Sequence, residues 1–559
     1  MKILHDQKRR TLLIISSLSV ALVATLVVIA TLVVQLVLVG KPLPPIPTHQ
    51  DVGHRTVETF AQSLSQTFPL DNGNFVNSTC PALTKSGLAA ENNLPGVNMT
   101  MSDWRDVQFY DPHGSLLWAD KNNVNCGDSI SIHASTFDNY SYKDSNRPRT
   151  IAALRIGWYN GAGAREVWKS KPMIFPHLRI PHAFTNTRLV QTNWPTLLTV
   201  NIDQSWTPGF YLLVTYSPSG YIESEDPLVV HNPLGTANLA IMHSFITWQM
   251  YNAFGGYSAY IGPGGSATDQ RTERSREVSF DRPYYGSGGF AIKRDGLSMM
   301  QFLEKNNVLV DNYSDLDMNN FPSIFRHYRG IVISGHAEYM PRRLFDSFIA
   351  ARNNGINLAL FGANDAYWQT RLAPAHKVPD RLAYMYRVAT QDPITDWDKI
   401  TLEYSDPRVN TPSNLITGGL TSGVHVFGDL KLAENPSWLK LPKNAAIQSI
   451  SPDTEIESSF PTPASPPNIH VLFQGRLNYA ITPPGKHVKI PFEQTMWFTT
   501  PSGAAVFNSG FTTWACDLVD SCVYPSISGE SQKILQDVTL KVLDLWGQPQ
   551  IGKKLELAK

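Results

Sequence analysis

An excess of charge of one sign is missing from this 559-residue sequence: 47 Lys and Arg stand against 47 Asp and Glu. A chain so balanced presents no field for a polyanion, so no nucleic acid partner is expected. Cysteine is scarce. Cys80, Cys126, Cys516 and Cys522 are the only four, and none forms a CxxC pair, which disfavours a zinc ribbon. In an oxidising compartment four cysteines can make two disulfides. Cys516 with Cys522 would close a short loop and Cys80 with Cys126 would tie down the N-terminal arm, but spacing alone leaves the connectivity open. A GxSxG elbow is missing where the chain turns from strand to helix near Ser334, and that turn has no cysteine. A serine or thiol hydrolase is therefore disfavoured. No internal repeat is visible.

What is present begins with a run of 29 residues, 11–39, without a single charge. About 20 apolar residues suffice to cross the hydrocarbon layer of a membrane, and a signal-peptide core is shorter. The expectation is a transmembrane signal anchor at 11–39 behind a cytoplasmic tail at 1–10. Lys2, Lys8, Arg9 and Arg10 lie on one side of it and only Lys41 lies near the other. Positive charge stays cytoplasmic, so the chain reads as a single-pass type II membrane protein with its C-terminal domain extracellular or lumenal. Residues 40–115 read as a Pro-rich stalk and an N-terminal arm. Four N-x-S/T triplets, at Asn77, Asn98, Asn139 and Asn312, fit a glycoprotein ectodomain.

The expected fold class is α/β plus all-β. Over 116–230, short runs rich in β-branched and aromatic residues (130–135, 150–159, 197–202, 209–217) are separated by turn residues; this predicts an Ig-like antiparallel β-sandwich. From 236 to 547 the pattern changes. Buried strands at 238–244, 330–336 and 356–364 alternate with helical patterns at 296–307 and 341–355, and a closing helix is expected at 531–547. Strand, helix, strand at this spacing predicts a parallel sheet with covering helices.

Ligands bind outside the carboxyl ends of strands in such sheets. Two strands end in polar clusters, Ser334-Gly335-His336-Ala337-Glu338-Tyr339 and Gly362-Ala363-Asn364-Asp365. If the strands are neighbours, His336, Glu338 and Asn364 meet at one rim, supplying a titratable base and a hard oxygen donor. The plainer reading is that His336 bonds only to backbone and that Glu338 caps the next helix.

The stretch GHAEYM followed by GINLALFGANDAYWQTR resembles the family of C-terminal domains found in the large (beta) chain of N,N-dimethylformamidase. ALRIGWYNGAGAREVW (153–168), PGFYLLV (208–214), TWQMYNAFGGYSAY (247–260), VSFDRPY (278–284) and GAAVFNSGFTTWACDL (503–518) resemble further family elements in the same order. The resemblance implies a class I glutamine amidotransferase-like fold for the α/β domain. It also implies a mononuclear ferric ion (Fe3+) held by two tyrosines and a glutamate, beside a His and an Asn needed for activity. Carried over by motif, the metal ligands are Tyr211, Tyr251 and Glu338, with Tyr216 and Tyr257 as alternatives to Tyr211; the catalytic pair is His336 and Asn364. The usual acidic residue before the glutamate is Ala337 here, and the usual Trp after EY is Met340.

The function expected on this basis is a membrane-anchored, iron-dependent amidase cleaving a C–N bond in a small-molecule amide. A homo-oligomer or a small partner subunit is its expected assembly. The alternative is a non-catalytic surface or lumenal binding protein that retains the fold. A zinc hydrolase is weaker, because the ligand set is rich in oxygen.

Overall fold

The computed structural model describes residues 66–99, 114–137, 146–262, 273–376, 378–480, 490–520, 522, 527 and 529–557, all within one compact unit, Val57–Lys559. The N-terminal part is built on two sheets. The six-stranded sheet has the order Val97–Asn98, Gly163–Lys169, Thr150–Ile156, Gly209–Tyr216, Ile222–Val230 and Asn123–Val124. The three-stranded one pairs Gly114–Ala119 with Ser129–Phe137 and that with Leu198–Asn201.

Alternation explains the packing. Ile151, Ala153, Tyr211, Leu213, Leu228 and Val230 share one core with Leu117, Ile130, Ile132 and Val200 of the small sheet. Their neighbours Ala152, Leu154, Leu212 and Val214 join the larger core of the α/β part. Strand 209–216 is thus buried on both faces, which is why it reads as an unbroken apolar run and not as an alternating one. Cys80 is bonded to Cys126 and Cys516 to Cys522.

The second part is organised by a ten-stranded sheet. Five of its strands, β1 (Leu239–His243), β2 (Asp311–Ser314), β3 (Gly330–Gly335), β4 (Asn357–Gly362) and β5 (Ala505–Asn508), are parallel in the order 2-1-3-4-5. Helix α1 (Phe245–Tyr251) follows β1, α2 (Arg342–Asn353) lies between β3 and β4, and α3 (Gly529–Trp546) follows β5. In α2 the residues Leu344, Phe345, Phe348 and Ile349 are buried at helical spacing. Gly355, at φ 84°, lets the chain leave that helix in the left-handed conformation. The strand order reverses between β1 and β3, and at such a switch point a crevice opens beyond the carboxyl ends of the strands.

Three sequence expectations need correction. The sheet is not a parallel one: beyond β5 it continues antiparallel through Phe492–Thr499, His470–Arg476, Leu420–Leu432 and Ala446–Ser458. With two smaller sheets in the sandwich part and a four-stranded one besides, the chain is a mixed α/β fold of many sheets. Second, among the described residues no helix is long and apolar enough to cross a membrane. Residues 11–39, on which the anchor expectation falls, lie outside the described residues. The N-terminal transmembrane helix and the single-pass type II placement are therefore unsupported and are withdrawn. Third, the triplet at Asn312 is no glycan acceptor: Asn312 lies in β2, 5% exposed, with its side-chain Oδ1 2.9 Å from His243 Nε2.

Candidate functional site

Two glycines bring the strand ends together. Gly335 closes β3 beside Gly362 of β4. A Cβ on Gly362 would lie 1.3 Å from the Gly335 carbonyl oxygen, and one on Gly335, at φ 76°, would lie 2.1 Å from Asp295 Cγ. No residue with a side chain fits either position. The two turns that follow are then close enough to bond. The Ala337 amide donates to Asp365 Oδ1 (2.7 Å), and His336 Nδ1 lies 2.9 Å from the Ala363 carbonyl oxygen. A carbonyl only accepts, so Nδ1 carries hydrogen and, in the neutral ring, the Nε2 lone pair is free to accept.

That Nε2 faces a cluster of oxygens. Tyr251, the last residue of α1, donates its hydroxyl to Glu338 Oε2 (2.8 Å) and lies 3.2 Å from His336 Nε2. Tyr260 also donates to Glu338 Oε2, and its ring stacks on that of Tyr251 with centroids 4.5 Å apart. Trp368 Nε1 holds the other carboxylate oxygen at 3.0 Å. Glu455 Oε2 also lies near the imidazole, 3.7 Å from His336 Nε2, and accepts from Asn364 Nδ2 (2.7 Å). Thr421 donates to the Asn364 amide oxygen. Asn364 has φ 55°, a left-handed conformation that asparagine tolerates better than most residues.

Burial sets the electrostatics. His336 and Glu338 are 2% and 4% exposed. Desolvation pulls the His336 pKa down, but the carboxylates of Glu455 and Glu338 outweigh it and push it up to about 10. Burial pulls Glu338 upward, yet the hydrogen bond and charge of His336, with help from Arg387 and Tyr260, leave it below the ordinary glutamate value. Burial and then the Glu338 charge hold the Tyr251 and Tyr260 phenols well above theirs. Without a cation, both phenols stay protonated and share one carboxylate oxygen.

Tyr251, His336, Glu338 and Asn364 are thus brought together, and Tyr211 is not among them. Tyr211 lies in the sandwich core, packs against Trp206 and donates its hydroxyl to the Thr207 carbonyl oxygen (2.5 Å). The second tyrosine beside Glu338 is Tyr260, which closes the stretch TWQMYNAFGGYSAY; its spacing of nine from Tyr251 was the available signal. Glu455, Thr421 and Arg387 come from distant segments and carried no local signal.

The donor set can be tested against the ion that the resemblance implies. Among the described residues no three His, Cys, Asp or Glu side chains are arranged to hold a metal. Two phenol oxygens and a carboxylate oxygen, however, converge on one point in a buried site, each phenol proton pointing at the same Oε2. Hard anionic oxygen donors suit a hard trivalent cation, and such a cation would take the place of those two protons. The residues fit the group.

No curated protein matches the chain at a significant level. The family described as N,N-dimethylformamidase beta subunit-like, C-terminal, matches residues 150–525, which is more than half of the chain and includes every residue of the cluster just described. Its members' description points to a dimethylformamidase-like hydrolase. On that match, over strands, turns and rim together, the chain belongs to the N,N-dimethylformamidase beta subunit-like, C-terminal family.

Proposed function

We propose that this protein hydrolyses the C–N bond of a small-molecule amide at a mononuclear ferric site held by Tyr251, Tyr260 and Glu338. The observation that carries this reading is the convergence of two buried phenols on one carboxylate oxygen next to an imidazole. Bound there, the ion supplies Lewis acidity toward an amide carbonyl and an attacking water.

The chain's own residues supply the proton chemistry. In the cation-free site Glu455 and Glu338 hold His336 as the imidazolium. With a cation offsetting the Glu338 charge and Nδ1–H tied to the Ala363 carbonyl oxygen, the neutral ring would take a proton from water at Nε2 as the new C–O bond forms. It returns that proton to the leaving nitrogen as the C–N bond breaks, giving a carboxylic acid and an amine. Glu455 stabilises the imidazolium between these steps from 3.7 Å. Asn364, fixed by Glu455 and Thr421, orients the water or donates to the developing oxyanion. Trp368 fixes the Glu338 carboxylate by donating to Oε1. The family description names a beta subunit, which supports assembly with a second, different subunit.

The test is iron per chain by elemental analysis, together with hydrolysis of a panel of small formamides and acetamides. Glu338→Gln is expected to lose both iron and hydrolysis, and His336→Ala to lose hydrolysis while keeping iron. Undiminished iron in Glu338→Gln would refute the ligand assignment.

A further inference from the structure

Arg387 has no part in the scheme above, yet it packs directly on it. Its Cζ lies 4.2 Å from the centroid of the Tyr260 ring, 4.8 Å from that of Trp368 and 5.7 Å from that of Tyr339. One of its Nη atoms donates to the Tyr339 hydroxyl, and its buried Nε has no hydrogen-bond partner among the described residues. The backbone at Arg387 is left-handed, φ 62°, which a residue with a side chain adopts when its surroundings hold it there. The Tyr251 ring already covers Tyr260 at 4.5 Å. Tyr260 therefore lies between Tyr251 and a guanidinium, and Tyr251 is one ring further from that charge.

We propose that the two tyrosine donors are unequal, and that Arg387 is a positioning residue which makes Tyr260 the weaker one. The inference rests on the cation site of the proposed function. A guanidinium over an aromatic face draws on the ring's electron density, and at about 4 Å in a buried site its field is far from screened out. A phenolate under that field gives less density to a cation than one a ring away. By holding Tyr260 and Trp368, both of which bond to Glu338, Arg387 also fixes the geometry of the carboxylate.

The donor strengths can be read without turnover. A phenolate bound to ferric iron gives a visible charge-transfer band, and the weaker the donor, the shorter its wavelength. The full chain and its variants are titrated with ferric ion alone and their spectra compared. Tyr260→Phe is expected to keep the longer-wavelength part of the wild-type band and Tyr251→Phe the shorter-wavelength part. Arg387→Met should move the band of the otherwise unchanged site to longer wavelength, and Arg387→Lys, which keeps the charge, should move it less. Superimposable bands from the two Phe variants, or an unmoved band in Arg387→Met, would overturn the inference. If Arg387→Met does not fold, as judged by circular dichroism, the comparison of the Phe variants decides. If the unaltered chain takes up no ferric ion and shows no band, the proposed function fails and this inference with it; a normal wild-type band with equal donors overturns this inference alone.

Discussion

Replacing Tyr260 and Tyr211 by phenylalanine, one at a time, separates the site drawn from geometry from the one carried over by motif. In Tyr211→Phe the ring stays in the sandwich core against Trp206, and a single hydrogen bond to the Thr207 carbonyl oxygen is lost. A neutral bond of this kind contributes about 1 kcal/mol, so urea unfolding should show a loss near that size and iron content should not change. In Tyr260→Phe the lost bond is to a buried carboxylate. Bonds to charged groups contribute about 1.5–3 kcal/mol, so the iron-free protein should be destabilised by that amount. Glu338 keeps the Tyr251 hydroxyl and Trp368 Nε1, which limits the damage. One of the three donors of the proposed cation site is gone as well. Loss of a supporting partner alone typically costs roughly 10–100-fold in metal affinity, so a larger fall is expected here. Competition against a chelator of known affinity measures it. Iron released by Tyr211→Phe and retained at wild-type affinity by Tyr260→Phe would refute the reasoning.

Other outcomes follow from single residues. Asp226 is fully buried in the sheet contact, and burial pushes its pKa up to about 7 against the hydrogen bond from the Ala119 amide and the nearby Arg381 charge. A carboxyl raised in the folded state contributes stability that is fully present below its unfolded value near 4 and is lost as pH rises through about 7. Asp226→Asn should therefore match wild type in urea unfolding only at about pH 3.5, where the carboxyl is protonated in both states, gain on it steadily between about pH 4 and 7, and exceed it at about pH 8.5 by up to about 4 kcal/mol; equal pH profiles would count against this account. Gly362→Ala places a methyl on the Gly335 carbonyl oxygen and should cost more than about 4 kcal/mol, seen as a collapse of the melting temperature or as insoluble protein. Asn312→Gln should leave electrophoretic mobility unchanged in a glycosylating host, because that side chain is buried against His243.

Much of the rim was legible because it is local. His336 and Glu338 stand two apart after an apolar run, and Asn364 stands two after the next one; strand register then makes them neighbours. Tyr211 does not lie beside Glu338; a buried strand tyrosine and one that lines a site look alike in sequence, and only the fold shows which rings reach that carboxylate. Glu455 and Thr421 lie on the antiparallel strands Ala446–Ser458 and Leu420–Leu432. Those strands pair through repeated register shifts, which blur the two-residue alternation that marks a strand. That half of the sheet was accordingly invisible, and the sheet read as parallel. The charge-free run at 11–39 read as an anchor from composition alone, and among the described residues no helix is long and apolar enough to cross a membrane.

The mixed sheet has a consequence for the order in which the site is put together. Tyr251, Tyr260 and Glu338 all come from residues 251 to 338, on or beside the parallel strands, whereas the partners that hold Asn364 lie beyond residue 420 in the antiparallel extension. During synthesis the proposed cation donors are therefore encoded before the residues that hold Asn364. Cleavage or fraying of the later strands would leave a chain that still carries the proposed donors but has lost Glu455, so on the proposed function iron loading by itself would be a poor measure of whether the molecule is finished.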